Sequence, residues 1–296
     1  MNLAATAPFP SRGPKVAFRW LDALWIQVTG TLCNIACRHC FISCGPKAHQ
    51  IPMMSRDEVR RALDEGVAFG MKQVYFTGGE PFLHPDLHEL VELTLELAPL
   101  TIVTNGLLLD EPTVAWLNKT FREARYSFDL RVSLDGMTPE QNDPVRGHGT
   151  FARVVSSLRA LGKAGLSPVV TIVEHEEGLE GAHARERFLS FVRELGIRQP
   201  RVKFLPLLRI GREPQRTHGY TGGNPLDEGP LQPEVESALL CSSGRCVTAQ
   251  GVFTCPILVE HPGARLGPTI ASAARPIRLA FDACRTCVFD GLRCNT

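Results

Sequence analysis

The 296-residue chain predicts an α/β fold, a partial (β/α)6 TIM-like barrel followed by a small C-terminal cysteine-rich module. Three observations carry this. Short, β-branched apolar runs alternate with helical stretches from Leu24 to Leu205, the pattern of a parallel sheet covered by helices. Gly-rich turns recur at the ends of successive runs. All ten cysteines lie toward the two ends of the chain, with none in the 196 residues between Cys44 and Cys241.

Taken in order, residues 1–20 form a leader, Ala/Pro-rich from Met1 to Pro14, without the basic and apolar regions of a secretory signal. Leu24 to Thr29 is the first strand. Ser55-Arg56-Asp57-Glu58 is a capping box that opens a helix to about Phe69. Gln73–Thr77 is the second strand, with a helix from Asp86 to Leu97. Leu100–Asn105 is the third, followed by a helix from Pro112 to Asn118. Leu130–Leu134 is the fourth strand, before a helix from Phe151 to Lys163. Val169–Val173 is the fifth, a helix runs to Leu195, and Val202–Leu205 is the sixth. Right-handed β–α crossovers lay such strands into one parallel sheet. Six units fall short of a closed eightfold barrel, so the barrel over residues 21–211 is open. Residues 212–235, rich in Gly and Pro, read as a linker, and 236–296 as the module.

The formal net charge of +1 gives no electrostatic case for nucleic acid or membrane partners. No apolar run approaches the roughly 20 residues of a membrane span. Without a secretory signal the expected compartment is the cytoplasm, where clustered cysteines bind metal more often than they form disulfides.

Cys33, Cys37 and Cys40 form a C-x3-C-x2-C triplet in the loop after the first strand. Three thiolates hold three irons of a cubane cluster and leave the fourth open to a substrate. The rival is zinc, with Cys44 as a fourth ligand. In parallel α/β folds the chemistry collects at the C-terminal ends of the strands. The second strand ends in Thr77-Gly78-Gly79-Glu80-Pro81. Its glycines permit close backbone approach to a ligand, and Glu80 can accept from an ammonium. The third ends in Thr104-Asn105-Gly106 and the fourth in Ser133-Leu134-Asp135-Gly136. Arg146 follows, a guanidinium able to hold a carboxylate bidentately. Each Gly-rich motif alone is an ordinary turn; their recurrence beside a three-thiolate loop is not.

The cysteine triplet after the first strand and Thr77-Gly78-Gly79-Glu80-Pro81 after the second resemble the radical S-adenosylmethionine (SAM) superfamily, over roughly residues 24–211. The resemblance implies a [4Fe-4S] cluster on Cys33, Cys37 and Cys40. It implies that SAM chelates the open iron and is cleaved reductively to a 5′-deoxyadenosyl radical that abstracts hydrogen from substrate. It also implies SAM contacts: Gly78 and Gly79 along the backbone, Glu80 to the ammonium, Arg146 to the carboxylate, Ser133 near the ribose and His39 against the adenine. An external electron donor such as flavodoxin or ferredoxin follows. Cys44 stands outside the motif and is expected to be small and buried.

The distal cysteines are Cys241, Cys246, Cys255, Cys284, Cys287 and Cys294. Val247–Ala249 and Val252–Thr254 flank Gln250-Gly251 as a hairpin with a thiol near each end, and Cys284 and Cys287 form a C-x2-C. A zinc ribbon fits those residues. The arrangement also resembles the SPASM/twitch extensions that carry auxiliary iron–sulfur clusters. Too few cysteines are present for two fully ligated auxiliary clusters, so one [4Fe-4S] is expected on Cys241, Cys255, Cys284 and Cys287, with Cys246 an alternative to Cys241. Cys246 is otherwise a candidate hydrogen donor to a substrate radical.

The first functional expectation is a radical SAM enzyme that oxidises or epimerises a small polar metabolite with help from the auxiliary cluster. The second is a maturase that crosslinks a ribosomally made peptide, although maturases often carry an additional peptide-binding domain before the first strand. The third is a non-catalytic iron–sulfur or zinc protein, against which the intact triplet and Glu80 argue. The loops around 174–182 and 210–230, which would shape the substrate pocket, carry no signature.

Overall fold

A computed structural model describes residues 12–176, 179, 181–221, 226 and 229–294. The first element among the described residues is a two-residue strand, β1 (Lys15–Val16), followed by the barrel's β2 (Ala23–Gln27) and α1 (Arg56–Ala68). There follow β3 (Gln73–Thr77), α2 (Leu87–Leu95), β4 (Leu100–Thr104), α3 (Glu111–Glu123) and β5 (Phe128–Ser133). Next come α4 (Pro139–Arg146), α5 (Thr150–Lys163), β6 (Val169–Glu174), α6 (Gly181–Glu194) and β7 (Arg201–Pro206). Strands β2 to β7 are all parallel and adjacent in chain order, so the expected fold class holds.

Alternation sorts the strand residues. On β2, Leu24 and Ile26 face the helices; Gly66 of α1 lies so near Leu24 Cδ2 that a Cβ there would sit 2.8 Å from it. Trp25 faces inward and stacks on Tyr75 of β3 at 4.3 Å. The Arg131 guanidinium of β5 lies 5.0 Å from the Tyr75 ring, on the same inner face. The capping box of α1 forms as expected: Glu58 N donates to Ser55 Oγ at 3.3 Å and Ser55 N to Glu58 Oε2 at 2.7 Å.

Three features differ from expectation. The leader does not stay loose to residue 20; its residues 1–11 lie outside the described residues. Val16 is fully buried, and β1 pairs antiparallel with β11 (Ile277–Arg278) once the chain returns through β8 (Gly244–Thr248), β9 (Gly251–Phe253) and β10 (Arg265–Gly267). The module is not a separate body either. Strand β8 pairs in parallel with β2, extending the sheet to the order β10-β9-β8-β2-β3-β4-β5-β6-β7. Helix α4 has no counterpart in the reading of the sequence. Its residues are mostly polar and include Pro144, which removes an amide donor, so neither apolar period nor propensity marks it.

Candidate metal centre

The C-terminal ends of β2 to β6 converge on the cysteine loop. Gly78 and Gly79 explain how two of these ends fit. A Cβ on Gly79 would lie 2.0 Å from Leu32 O and 2.8 Å from Cys33 N, and one on Gly78 would lie 2.3 Å from Thr29 Oγ1. The glycines therefore serve approach of the cysteine loop to β3, rather than only of a ligand as the sequence suggested. Glu80 N closes the contact by donating to Leu32 O at 3.0 Å.

Glu80 itself is completely buried. Its carboxylate accepts from Thr104 Oγ1 at 2.7 Å, Asn105 N at 2.8 Å and Phe82 N at 3.1 Å. Burial nevertheless raises its pKa to about 7, against the lowering effect of those three donors. Asn105 continues the network, donating from Nδ2 to Asn34 Oδ1 at 2.7 Å and lying 3.6 Å from Cys33 Sγ.

On the other side of the loop sits Asp135, also completely buried. Its Oδ2 lies 2.6 Å from Arg146 Nε and 2.6 Å from His39 Nε2, and its Oδ1 accepts from Val173 N at 2.8 Å. Burial opposes ionisation of this carboxyl, but Arg146 and His39 together hold it well below the usual carboxylate range. Helix α4 brings Arg146 here, and the loop docks onto the same helix end through Arg38 N donating to Val145 O at 2.7 Å. Ser133 is half-buried at the end of β5. The structure thus gathers His39, Gly78, Gly79, Glu80 and Arg146 about the triplet, with Ser133 at the end of β5. Two residues that the sequence reading did not single out hold them there.

Asp135 is one, its Asp-Gly having the signature of a plain turn. The other is Arg212. It donates from Nε to Cys37 O at 2.9 Å and from Nη1 to Ser43 O at 3.0 Å, and from Nη2 to Cys44 O. Gly211 beside it has φ +65°, and a Cβ there would meet Cys40 O at 2.4 Å. Residue 212 was expected to begin a linker, so that boundary cuts through the site. A Gly/Pro-rich stretch carries no periodic signal to say so.

The thiols have the character of soft, desolvated donors. Burial pushes Cys33 up to about 11 and Cys37 up to about 12, the latter against the lowering field of Arg146. Cys40 is lowered to about 6 because the buried Cys44 thiol hydrogen-bonds to it, which outweighs desolvation; Cys44 N also donates to Cys40 Sγ at 3.3 Å.

A second group lies in the module. Cys241, Cys255, Cys284, Cys287 and Cys294 line one largely apolar cavity. Cys246 does not line it; it is completely buried on β8, in register with Trp25. Burial raises the pKa of each of the five, to about 12 at Cys241 and about 11 at Cys284. Arg245, whose side chain is entirely buried, donates to Cys241 O at 2.8 Å and Ala273 O at 2.9 Å and anchors this region to β8. Arg131 Nη1 and Lys203 Nζ donate from the barrel to Cys294 O at 2.7 and 3.3 Å. Among the described residues, no three His, Cys, Asp or Glu side chains converge tightly enough for a single metal ion; the distal thiols ring a cavity instead. Five thiols around one apolar cavity fit an iron–sulfur cluster in donor type and supply one more than it takes. No helix among the described residues is long and apolar enough to cross a membrane.

Residues 28–174 match the radical SAM superfamily. The GTP 3′,8-cyclase of Aeromonas hydrophila is 28% identical over 215 residues, 68% of this chain and 60% of that protein. The mycofactocin maturase MftC of Mycobacterium ulcerans is 34% identical over 150 residues, 49% of this chain and 39% of that protein. The chain thus spans between 39 and 60% of the length of these relatives. The solved structure of native anSMEcpe with bound AdoMet and Cp18Cys peptide superposes with a TM-score of 0.60 at 18% identity, over 85% of this chain and 79% of that one. It is similar in fold, down to the parallel sheet of the partial barrel.

Proposed function

We propose, from the match of residues 28–174 to the radical SAM superfamily, that the chain is a radical SAM enzyme that abstracts hydrogen from a small polar metabolite, which it oxidises or epimerises. Cys33, Cys37 and Cys40 would hold a [4Fe-4S] cluster, which, with a flavodoxin- or ferredoxin-type donor, would supply the electron for reductive cleavage of SAM. The observation that carries this reading is the packing of Gly78, Gly79 and Glu80 directly against the three-thiolate loop. It joins both motifs into one site.

The chain's own residues then have defined work. Glu80, buried and already accepting three hydrogen bonds, pairs with the SAM ammonium. Arg146 holds the SAM carboxylate with its terminal nitrogens. His39 lies against the adenine and Ser133 near the ribose. Arg212 fixes the loop by its carbonyls. In the module, four of the five cavity cysteines would hold an auxiliary [4Fe-4S] cluster, with Cys241, Cys255, Cys284 and Cys287 the first assignment. Cys246, away from that cavity and in register with the inward-facing Trp25, is the thiol available as hydrogen donor in an epimerisation. A peptide substrate is the second reading. It is favoured by the similarity to a mycofactocin maturase and by the peptide bound in anSMEcpe.

Anaerobic reconstitution tests the proposal. About eight irons per chain are expected, against about four plus one zinc for a zinc ribbon. Replacing Cys33, Cys37 and Cys40 with Ala is expected to abolish 5′-deoxyadenosine formation; undiminished formation would sink the assignment. Deuterium transfer from labelled metabolites or peptides into 5′-deoxyadenosine separates the two substrate readings.

A further inference from the structure

One carboxylate oxygen, Asp135 Oδ2, lies 2.6 Å from both His39 Nε2 and Arg146 Nε. Two groups within 2.6 Å of one atom are no more than about 5 Å apart by simple geometry, and all three side chains are buried. The contacts also fix which atoms are left over. A proton must lie between His39 Nε2 and the carboxylate, so a neutral ring presents Nδ1 as a lone pair. That Nδ1 is buried and has no hydrogen-bond partner among the described residues. A buried polar atom left so costs stability unless a hydrogen-bond partner meets it.

Asp135 is itself over-determined. Val173 N holds its Oδ1 at 2.8 Å, Asn142 Oδ1 accepts from its backbone N at 3.1 Å, and His175 Nε2 lies 3.0 Å from its backbone O. Gly136 packs so closely on α4 that a Cβ would lie 2.9 Å from Asn142 N. The carboxylate is therefore a fixed point shared by β5, β6, α4 and the cysteine loop.

We propose that Asp135 is the positioning residue of the nucleotide-binding side of this site. It aims His39 Nδ1 at a hydrogen-bond donor of the ligand's nucleoside and Arg146's terminal nitrogens at the ligand's carboxylate. This rests on the radical SAM reading above. It adds that the two contacts are set by one residue that touches neither ligand group, and that His39 acts as an acceptor rather than only as a packing surface.

The test uses the full chain, reconstituted anaerobically, with Asp135→Asn, His39→Ala and the double variant. In Asp135→Asn the KM for SAM is expected to rise at least tenfold, with kcat changed less than threefold. His39→Ala is expected to raise that KM as well. The double variant is expected to fall short of the product of the single effects, because both remove one contact. Addition of SAM is expected to perturb the electron paramagnetic resonance signal of the reduced cluster less in Asp135→Asn than in the unsubstituted protein. A wild-type KM in either single variant, independent effects in the double variant, or a loss confined to kcat and iron content would overturn the proposal. Should Asp135→Asn not fold, the His39→Ala KM decides alone. Failure of the unsubstituted protein to form 5′-deoxyadenosine would instead count against the radical SAM reading, so the two failures are distinguishable.

Discussion

Glu80 sits where an ionised carboxylate is costly, and that has a measurable consequence. Its pKa is raised from 4.5 to about 7 by burial. The folded chain therefore holds a proton that the unfolded chain releases between those values. The contribution of this group to stability is greatest below about pH 4.5 and declines as pH rises through 7, by about 3 kcal/mol in all. An ammonium pairs only with the ionised form. SAM affinity is thus expected to increase roughly tenfold from pH 6 to pH 8, and Glu80→Gln to flatten this rise while weakening binding at pH 8. Calorimetric titration across that range checks it; a flat profile in the unsubstituted chain would remove Glu80 from the contact. At this scale the residues facing the site were legible because their chemistry is written in their type: thiols, a carboxylate after two glycines, a guanidinium. Asp135 and Arg212 were not. Their work is to hold other residues, through a turn motif in one case and backbone carbonyls in the other, and neither leaves a local pattern.

Among the elements, the contact at the end of β3 with the cysteine loop is tightly constrained. Ala at position 79 would bring its Cβ to 2.0 Å from Leu32 O and 2.8 Å from Cys33 N. Both are backbone atoms and cannot rotate away. The cost exceeds the ~1–3 kcal/mol of ordinary overpacking, and the loop is the part with room to yield. Gly79→Ala is therefore expected to lose about four of eight irons and all SAM cleavage, with the module's share retained. Iron assay with near-ultraviolet circular dichroism distinguishes this from global unfolding, which would take both shares. Element existence was readable wherever apolar residues repeat: the six barrel strands and the capped α1 came from period and capping chemistry alone. Helix α4 was not, since a polar octet with an internal Pro144 has no period to read. Yet α4 carries Arg146 and, through Val145 O, the loop's anchor. The site depends on the element that is hardest to see.

For the whole molecule, the cysteine-rich module reads in sequence as an appendage behind a linker, because the 196 residues before its first cysteine hold none and include a Gly/Pro-rich stretch. The pairing of β8 with β2 makes it the continuation of the barrel's own sheet. Pairing is non-local and lies outside what periodicity can report. Further ties point the same way: β1 with β11, Arg19 N donating to Ser242 O at 2.9 Å, and Cys294 O held by Arg131 and Lys203. Removing residues 239–296 would strip β2 of its β8 partner and uncover a buried, largely apolar strand edge, which favours aggregation. It would also expose the face of Leu21 and Trp25, both buried in the full chain. A chain ending at residue 238 is accordingly expected to be insoluble or aggregated, where a separable appendage would leave a soluble barrel. Limited proteolysis of the intact chain gives the same contrast without truncation. Cleavage in the 212–235 stretch is expected to leave the two pieces associated through size-exclusion chromatography. A monomeric N-terminal fragment that still binds four irons and cleaves SAM would mean that the shared sheet is dispensable. If the pieces stay together, the auxiliary site is held at a fixed place against the barrel's inner face, through Arg131 and Lys203, rather than on a hinge.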